Sequence, residues 1–257
     1  MLRTERRGGV EILTIDRQQA GNSISSDLTT ALLETLERLA GDAKLHSVVI
    51  TGGGDKFFCT GGDVKEYRTI ENAEALNSHF ERTRRAMDLI EALPVPVIAA
   101  VNGYALGGGG EIMLCCDHRI ADERAQIAWP QSRLGIIPAW NGIDRLVRDC
   151  GPRVASRLMM TGVRIDASEA LKLGIIDHVA PAGTALERAL AHSELLEAVA
   201  PMALRATKQV IKATGTMTPQ EVRDLQRGVF ADLWFSQDHK EAEAAFAEKR
   251  APIFTGR

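Results

Sequence analysis

Val101-Asn102-Gly103-Tyr104-Ala105-Leu106-Gly107-Gly108-Gly109-Gly110-Glu111 is the stretch on which the reading of this chain turns. Just upstream, Val95-Pro96-Val97-Ile98-Ala99-Ala100-Val101 is apolar and predicts a buried strand. Downstream, Ile112-Met113-Leu114-Cys115-Cys116 predicts a helix. Glycines ahead of a helix let the backbone approach a ligand closely and leave N–H groups free to point at it. Such a site stabilises negative charge, either on a phosphate or on an oxyanion. Glu111, the residue after the glycines, then stands beside that charge as a candidate base.

A second glycine turn follows the strand-like run Ser47-Val48-Val49-Ile50-Thr51. It reads Gly52-Gly53-Gly54-Asp55-Lys56-Phe57-Phe58-Cys59-Thr60-Gly61-Gly62-Asp63. Neither turn ends in Gly-Lys-Ser/Thr, so neither is a P-loop. Neither is a Gly-x-Gly-x-x-Gly turn with an acidic residue at the ribose distance. Either one alone reads as a tight connection in an α/β fold. The two together, with a glutamate in one, point to a site.

The remaining features bound the class. A chain of 257 residues suffices for one large domain, or for one domain with an appendage. Its 45% hydrophobic and 25% charged residues are ordinary for a globular protein. A net charge of −3 makes no electrostatic case for nucleic acid or an anionic membrane, so a polyanionic ligand needs a local basic patch. Cys59, Cys115, Cys116 and Cys150 lack metal-ligand spacing and read as small packing residues in a reducing compartment. Met1 to Arg7 lacks the apolar core of a secretory signal, and no apolar run approaches membrane-spanning length. The expected location is cytoplasmic.

Val10–Ile15 alternates like a strand, and Ser26-Asp27 offers a cap for a helix over Leu28–Leu39. A strand over Val48–Thr51, a long helix over Asn72–Leu93 and the strand over Val95–Val101 follow. Arg119–Ala121 and Ala125–Ala128 are short strand candidates. Strands alternating with helices predict an α/β architecture with parallel pairing. Beyond about residue 150 the pattern becomes helical, over 153–160, 167–173, 186–199, 202–213, 219–236 and 239–250. Ser168 and Thr218 are candidate caps.

Phe58-Cys59-Thr60-Gly61-Gly62-Asp63-Val64-Lys65-Glu66 resembles the Phe-x-Ala-Gly-x-Asp-Ile-x-Glu signature of the enoyl-CoA hydratase/isomerase (crotonase) superfamily. Pro96 to Gly103 and Gly107 to Glu111 are similar to its second signature. Arg17 with Asn22-Ser23-Ile24, Asp117 to Ala121, Leu134 to Pro138 and Ala245 to Phe254 resemble further landmarks in the family order. The resemblance implies a spiral of ββα units over 1–195. It also implies a helical oligomerisation region over 196–257, forming a homotrimer or a hexamer built as a dimer of trimers.

The chemistry that the resemblance implies runs through the enolate, or a related oxyanion, of an acyl-CoA thioester, with no metal or redox cofactor. Coenzyme A enters as part of the substrate. The N–H groups of Gly62 and Gly108 are the implied oxyanion donors, and Gly108 gains from its place at a helix N-terminus. Glu111 matches the first catalytic glutamate, which delivers or removes a proton or holds water. Backbone atoms of Thr60, Asp63 and Val64 are placed around the adenine. Lys56 covers that ring, pairs with a phosphate, or is simply a solvated loop lysine. Lys249 stands between reaching a neighbouring subunit's CoA phosphate and being an ordinary surface charge.

The sequence departs from the hydratase pattern at its centre. Gln131 of Pro130-Gln131-Ser132-Arg133-Leu134-Gly135 stands where hydratases carry a second glutamate. A glutamine orients water but does not exchange a proton near neutral pH. Pro138-Ala139-Trp140-Asn141-Gly142 replaces a Pro-Gly-x-Gly-Gly loop, and Trp140 either narrows the acyl pocket or packs elsewhere. Trp129 carries the same two readings. Asp144 either turns inward as a substitute acid or is a solvated first-turn acid. His118 reads as structural. An enoyl-CoA hydratase-like lyase is the leading expectation. Double-bond isomerisation, decarboxylation of a malonyl-type CoA similar to the ethylmalonyl-CoA decarboxylases, thioester hydrolysis and non-catalytic CoA binding stand beside it.

Overall fold

The structure, a computed structural model, describes residues 1–257. Strands β1 (Leu2–Arg7) and β2 (Val10–Ile15) form a hairpin, and helix α1 (Ser26–Ala40) returns the chain. Three turns of one design follow. The first is β3 (Ser47–Gly52), β4 (Phe57–Cys59) and the helices α2 (Val64–Tyr67) and α3 (Ala73–Ala92). The second is β5 (Val97–Val101), β6 (Tyr104–Leu106) and α4 (Gly108–Leu114). The third is β7 (His118–Asp122), β8 (Gln126–Ala128) and α5 (Gly142–Thr161). In each turn the first strand joins one sheet and the second strand joins another. Completed by β9 (Ile165–Asp166), α6 (Ala167–Lys172) and β10 (His178–Ala180), the sheets have the orders β1-β2-β3-β5-β7-β10 and β4-β6-β8-β9. Pairing is parallel except for β1 with β2 and β8 with β9.

Period-two geometry explains why the large sheet is apolar on both faces. Val48, Ile50, Val97, Ala99 and Val101 face the main core with α1, α3 and α4. Val10, Ile12, Val49, Ile98, Ala100 and Ile120 face the other way, where Ala185 and Ala189 of α7 (Ala185–Glu197) cover them. Helices α8 (Pro201–Ala213), α9 (Pro219–Trp234) and α10 (Gln237–Glu248) complete the chain. Polar bonds hold α8 to the core. Lys208 Nζ donates to Val95 O at 2.7 Å and pairs with Asp117 at 2.5 Å, while Arg205 donates to the carbonyls of Asp42, Ala43 and Leu45. No residue of α9 is buried in the single chain. No helix is long and apolar enough to cross a membrane.

The sequence-based boundaries need correction at several points, and the short strands β4, β6, β9 and β10 were absent from them. Strand β1 was absent from them because its side chains are charged and nearly all exposed, as suits an edge strand. The strand expected from Val95 begins at Val97, since Pro94 and Pro96 have no N–H for a ladder. Helix α5 begins at Gly142 rather than 153. Gly151, at φ 79°, precedes Pro152 and breaks it into two segments, of which the pattern revealed only the second. The caps expected at Ser26 and Ser168 are Ser25, accepting from Leu28 N–H at 3.3 Å, and Asp166, accepting from Glu169 N–H at 2.8 Å. Thr218 does cap α9, in a reciprocal pair with Glu221.

Arg119 closes the joint between α4, β7 and α5. Its guanidinium donates to the carbonyls of Met113, Leu114, Cys116 and Ile175 at 3.0–3.2 Å and to Asp149 Oδ2 at 2.6 Å. The C-terminal carbonyls of α4 thereby find donors that the helix cannot supply. Arg119→Met is expected to cost about 3–5 kcal/mol in urea unfolding, because it strands buried acceptors. A loss below about 1 kcal/mol would show that solvent or neighbouring groups satisfy these carbonyls without it.

Candidate functional site

The segment between β2 and α1 clips onto the turn built on β3 and β4. Asn22, at φ 56°, donates through Nδ2 to Gly53 O at 2.9 Å and Phe57 O at 2.7 Å. Arg17 pairs with Asp63 at 2.8 Å. Ile24 forms a parallel bridge with Gly62: Ile24 N–H donates to Gly61 O at 2.8 Å and Asp63 N–H to Ile24 O at 2.9 Å. In this pattern the middle residue turns its own N–H away from the bridge. The Gly62 N–H has no acceptor within the protein.

The turn built on β5, β6 and α4 lies against the one built on β3 and β4. Gly107, at φ 54° and ψ −120°, redirects the chain out of β6 and into α4. Gly108 N–H is then the first orphan donor of that helix. A Cβ placed on Gly61 would lie 3.0 Å from Gly108 N, and one on Gly109 would lie 1.9 Å from Cys59 O. Glycine at these positions lets two backbones touch, and two unbonded donors come to adjoining corners.

Glu111, one turn into α4, is 1% exposed. Its Oε1 accepts from Trp140 N–H at 2.9 Å and Gly142 N–H at 3.0 Å. Its Oε2 accepts from Gln131 Nε2 at 3.2 Å. Burial pushes the carboxyl up to about 7, against the opposing pull of the loop N–H groups and the Arg145 guanidinium. Arg145 holds the loop in turn. It donates to Trp140 O at 2.6 Å and Asn141 O at 3.1 Å, and pairs with Asp88 and Glu91 of α3. Loop 138–142 is thus pinned through its carbonyls and presents its N–H groups to one carboxylate oxygen.

Gln131 lies in the 3-10 helix Pro130–Leu134 and is buried. Its Oε1 is also buried and has no partner. An acceptor left open 20 residues along from a carboxyl of raised pKa suits a bound water or hydroxyl, because desolvated polar atoms otherwise go unpaid. The Trp140 ring covers Gly108, where a Cβ would stand 2.2 Å from it. Trp140 is buried, as the packing reading expects, with its ring over the Gly108 backbone at the start of α4. Trp129 is fully buried beneath Gly110.

Gly62, Gly108, Glu111, Gln131 and Trp140 thus come together. Lys56, Thr60, Asp63 and Val64 lie on or beside the loop that carries Gly62 but outside this cluster, and Asp144, His118 and Lys249 lie elsewhere. The Asp63 carboxylate is taken by Arg17 and by capping α2, accepting from Lys65 N–H at 3.1 Å. Thr60 packs against Gly21, and Val64 is exposed. Lys56 lies over the Phe57 ring, 5.1 Å from its centroid. Asp144 is exposed on the first turn of α5 and does not turn inward. His118 packs edge-on against His192 at 4.7 Å. Lys249 is an exposed residue that ends α10. Two residues went unremarked in the sequence. Arg145 carries no local signal, and Tyr67 directly follows the Phe58–Glu66 signature, its hydroxyl against Gly62.

Residues 5–257 match the family described as enoyl-CoA hydratase/isomerase. An enoyl-CoA isomerase/hydratase of Mycosarcoma maydis is 38% identical, over 97% of this chain and 93% of its own length. A carnitinyl-CoA dehydratase of Salmonella typhi is 37% identical, over 100% and 98%. The crystal structure of an enoyl-CoA hydratase from Bacillus anthracis superposes with a TM-score of 0.96 at 33% identity, covering 100% of this chain and 99% of that one. A likeness that runs the length of the chain in both sequence and fold makes this protein a member of the enoyl-CoA hydratase/isomerase (crotonase) superfamily of acyl-CoA enzymes.

Proposed function

We propose that the protein is a hydro-lyase that adds water to a 2-enoyl-CoA, or removes it from the 3-hydroxyacyl-CoA, with Glu111 as its one proton carrier. The observation that carries this reading is the Glu111–Gln131 pair. One oxygen of a buried carboxyl is fixed by two backbone donors, and the other faces an amide with an open acceptor. Hydratases and a dehydratase among the relatives support it.

Ionised Glu111 takes a proton from a water held by Gln131 Oε1. The water oxygen bonds to C3, and the C2–C3 π electrons move onto the thioester oxygen, where Gly62 and Gly108 N–H groups stabilise the charge. The enolate then collapses, and C2 takes the proton back from Glu111. One carboxyl thus handles both transfers, and the balance is one water added across C2=C3. Gln131 contributes position and no proton.

The site binds CoA through the loop 56–64, with Lys56 at the adenine or a phosphate and the backbone of Thr60, Asp63 and Val64 around the ring. The assembly is a trimer, or a hexamer of two trimers. Phe230 and Trp234 of α9, with Phe235, Phe246 and Ile253, form more exposed apolar surface than a lone chain keeps in water.

Crotonyl-CoA hydration is expected to show kcat/KM rising with pH through about 7 as Glu111 ionises. Glu111→Gln should remove that inflection and lower kcat by roughly 10²–10⁴. A wild type that leaves crotonyl-CoA untouched while shifting the double bond of a 3-enoyl-CoA would replace hydration with isomerisation.

Gln131→Glu sets a second carboxyl about 3.2 Å from Glu111 Oε2. The pair would share one proton, so the profile should become bell-shaped, with faster hydration near its maximum. A profile that keeps one rising limb and an unchanged rate would remove Gln131 from the chemistry. Sedimentation at micromolar protein is expected to give a trimer or hexamer, and a monomer there would refute the assembly.

A further inference from the structure

The phenol of Tyr67 stands where a side chain at residue 62 would be. A Cβ on Gly62 would lie 1.6 Å from Tyr67 Oη and 2.2 Å from Cζ. Glycine at 62 therefore does more than shape a turn: it makes room for this hydroxyl. The ring is held on two sides, by the edge of His79 at 5.1 Å and by Phe80 at 5.1 Å. Oη makes no hydrogen bond within the protein, and it is not among the unpartnered atoms sealed from solvent. Tyr67 is thus a rigidly placed hydroxyl with an unused donor.

We propose that the Tyr67 hydroxyl is a third donor to the substrate's thioester oxygen, beside the backbone N–H of Gly62. The assignment rests on the reading of Gly62 N–H as an oxyanion donor. The amide nitrogen and the Cβ position of residue 62 hang from the same Cα. An oxygen accepting from that N–H, at about 2.9 Å, therefore falls in the corner that Oη occupies. The Trp140 ring lies over Gly108, the residue of the other proposed donor, so an oxygen bound to both N–H groups has an aromatic wall at one and a phenol donor at the other. Burial, and then the nearby Cys59, Glu66, Glu111 and Asp63, hold the phenol above its ordinary pKa. It therefore stays protonated and acts as a donor across the working pH range. A side-chain donor of this kind is strongest once charge develops on the oxygen, which favours the enolate over the bound ester.

Tyr67→Phe keeps the ring and its packing and removes only the hydroxyl. The probe is butyryl-CoA carrying ¹³C at the thioester carbonyl, a saturated ester that cannot be hydrated. Bound to wild type, its carbonyl stretch is expected at lower frequency than when bound to Tyr67→Phe. Crotonyl-CoA kcat should fall roughly 10- to 100-fold in the variant, the worth of one hydrogen bond to a charged acceptor, with KM little changed. Equal carbonyl frequencies in the two proteins would overturn the proposal, whatever happens to kcat, because a packing role alone leaves the ester unpolarised. If wild type does not hydrate crotonyl-CoA, the hydro-lyase reading fails, yet the carbonyl comparison still decides the role of Tyr67.

Discussion

A single buried carboxyl sets the terms for the rest of this site. Glu111 sits on a short helix whose first turn is glycine, in the apolar centre of the molecule. Burial opposes its charge, and two N–H groups of loop 138–142 partly restore it. The loop can do this because Arg145 holds its carbonyls and α3 holds Arg145 through Asp88 and Glu91. A Cβ on Gly142 would stand 2.4 Å from Glu111 Cγ, so the second donor needs glycine there. Burial of this carboxyl costs stability in a definite direction. The carboxyl's folded pKa is raised from 4.5 to about 7. Its contribution is therefore fully present below about 4.5 and lost as pH rises through about 7. That loss accompanies a carboxyl that titrates near neutrality, as the proposed proton carrier requires.

The second constraint is the contact between the two glycine turns. Alternating strands between two sheets brings the ends of β4 and β6 side by side, each leading into a turn with an unbonded N–H. Neither turn makes this arrangement alone. Gly109 must pass Cys59 O, and Gly62 must stay bare for Tyr67. Aromatic rings then face the two donor residues, Tyr67 at Gly62 and Trp140 at Gly108. The acyl end of a thioester would enter between them, which favours a shaped, partly polar pocket over a greasy channel.

Residues whose side chains or missing side chains act locally were legible in the sequence. The glycine turns and Glu111 announce themselves by residue type, and Gln131 through its departure from the hydratase pattern. The parallel α/β order followed from apolar runs such as Val97–Val101. What acts through backbone or across long separations was not legible. The N–H groups of Trp140 and Gly142 carry no residue signature, and Arg145 meets Glu91 across 54 positions. Tyr67 carried no sequence signal, since only the folded turn shows that its hydroxyl fills the place of a side chain at Gly62. Strand β1 was hidden by its charges, and the first half of α5 by the break at Gly151-Pro152.

The central claim is that Glu111 carries a proton that comes and goes near neutral pH. Infrared difference spectra of wild type minus Glu111→Gln, recorded across a pH titration without substrate, observe that proton directly. The account predicts a protonated-carboxyl band that is present at pH 5 and disappears with a midpoint near 7. A band already absent at pH 5, with its midpoint near the ordinary glutamate value of about 4.3, would contradict it, because the carboxyl would then be solvated and could not be the poised carrier.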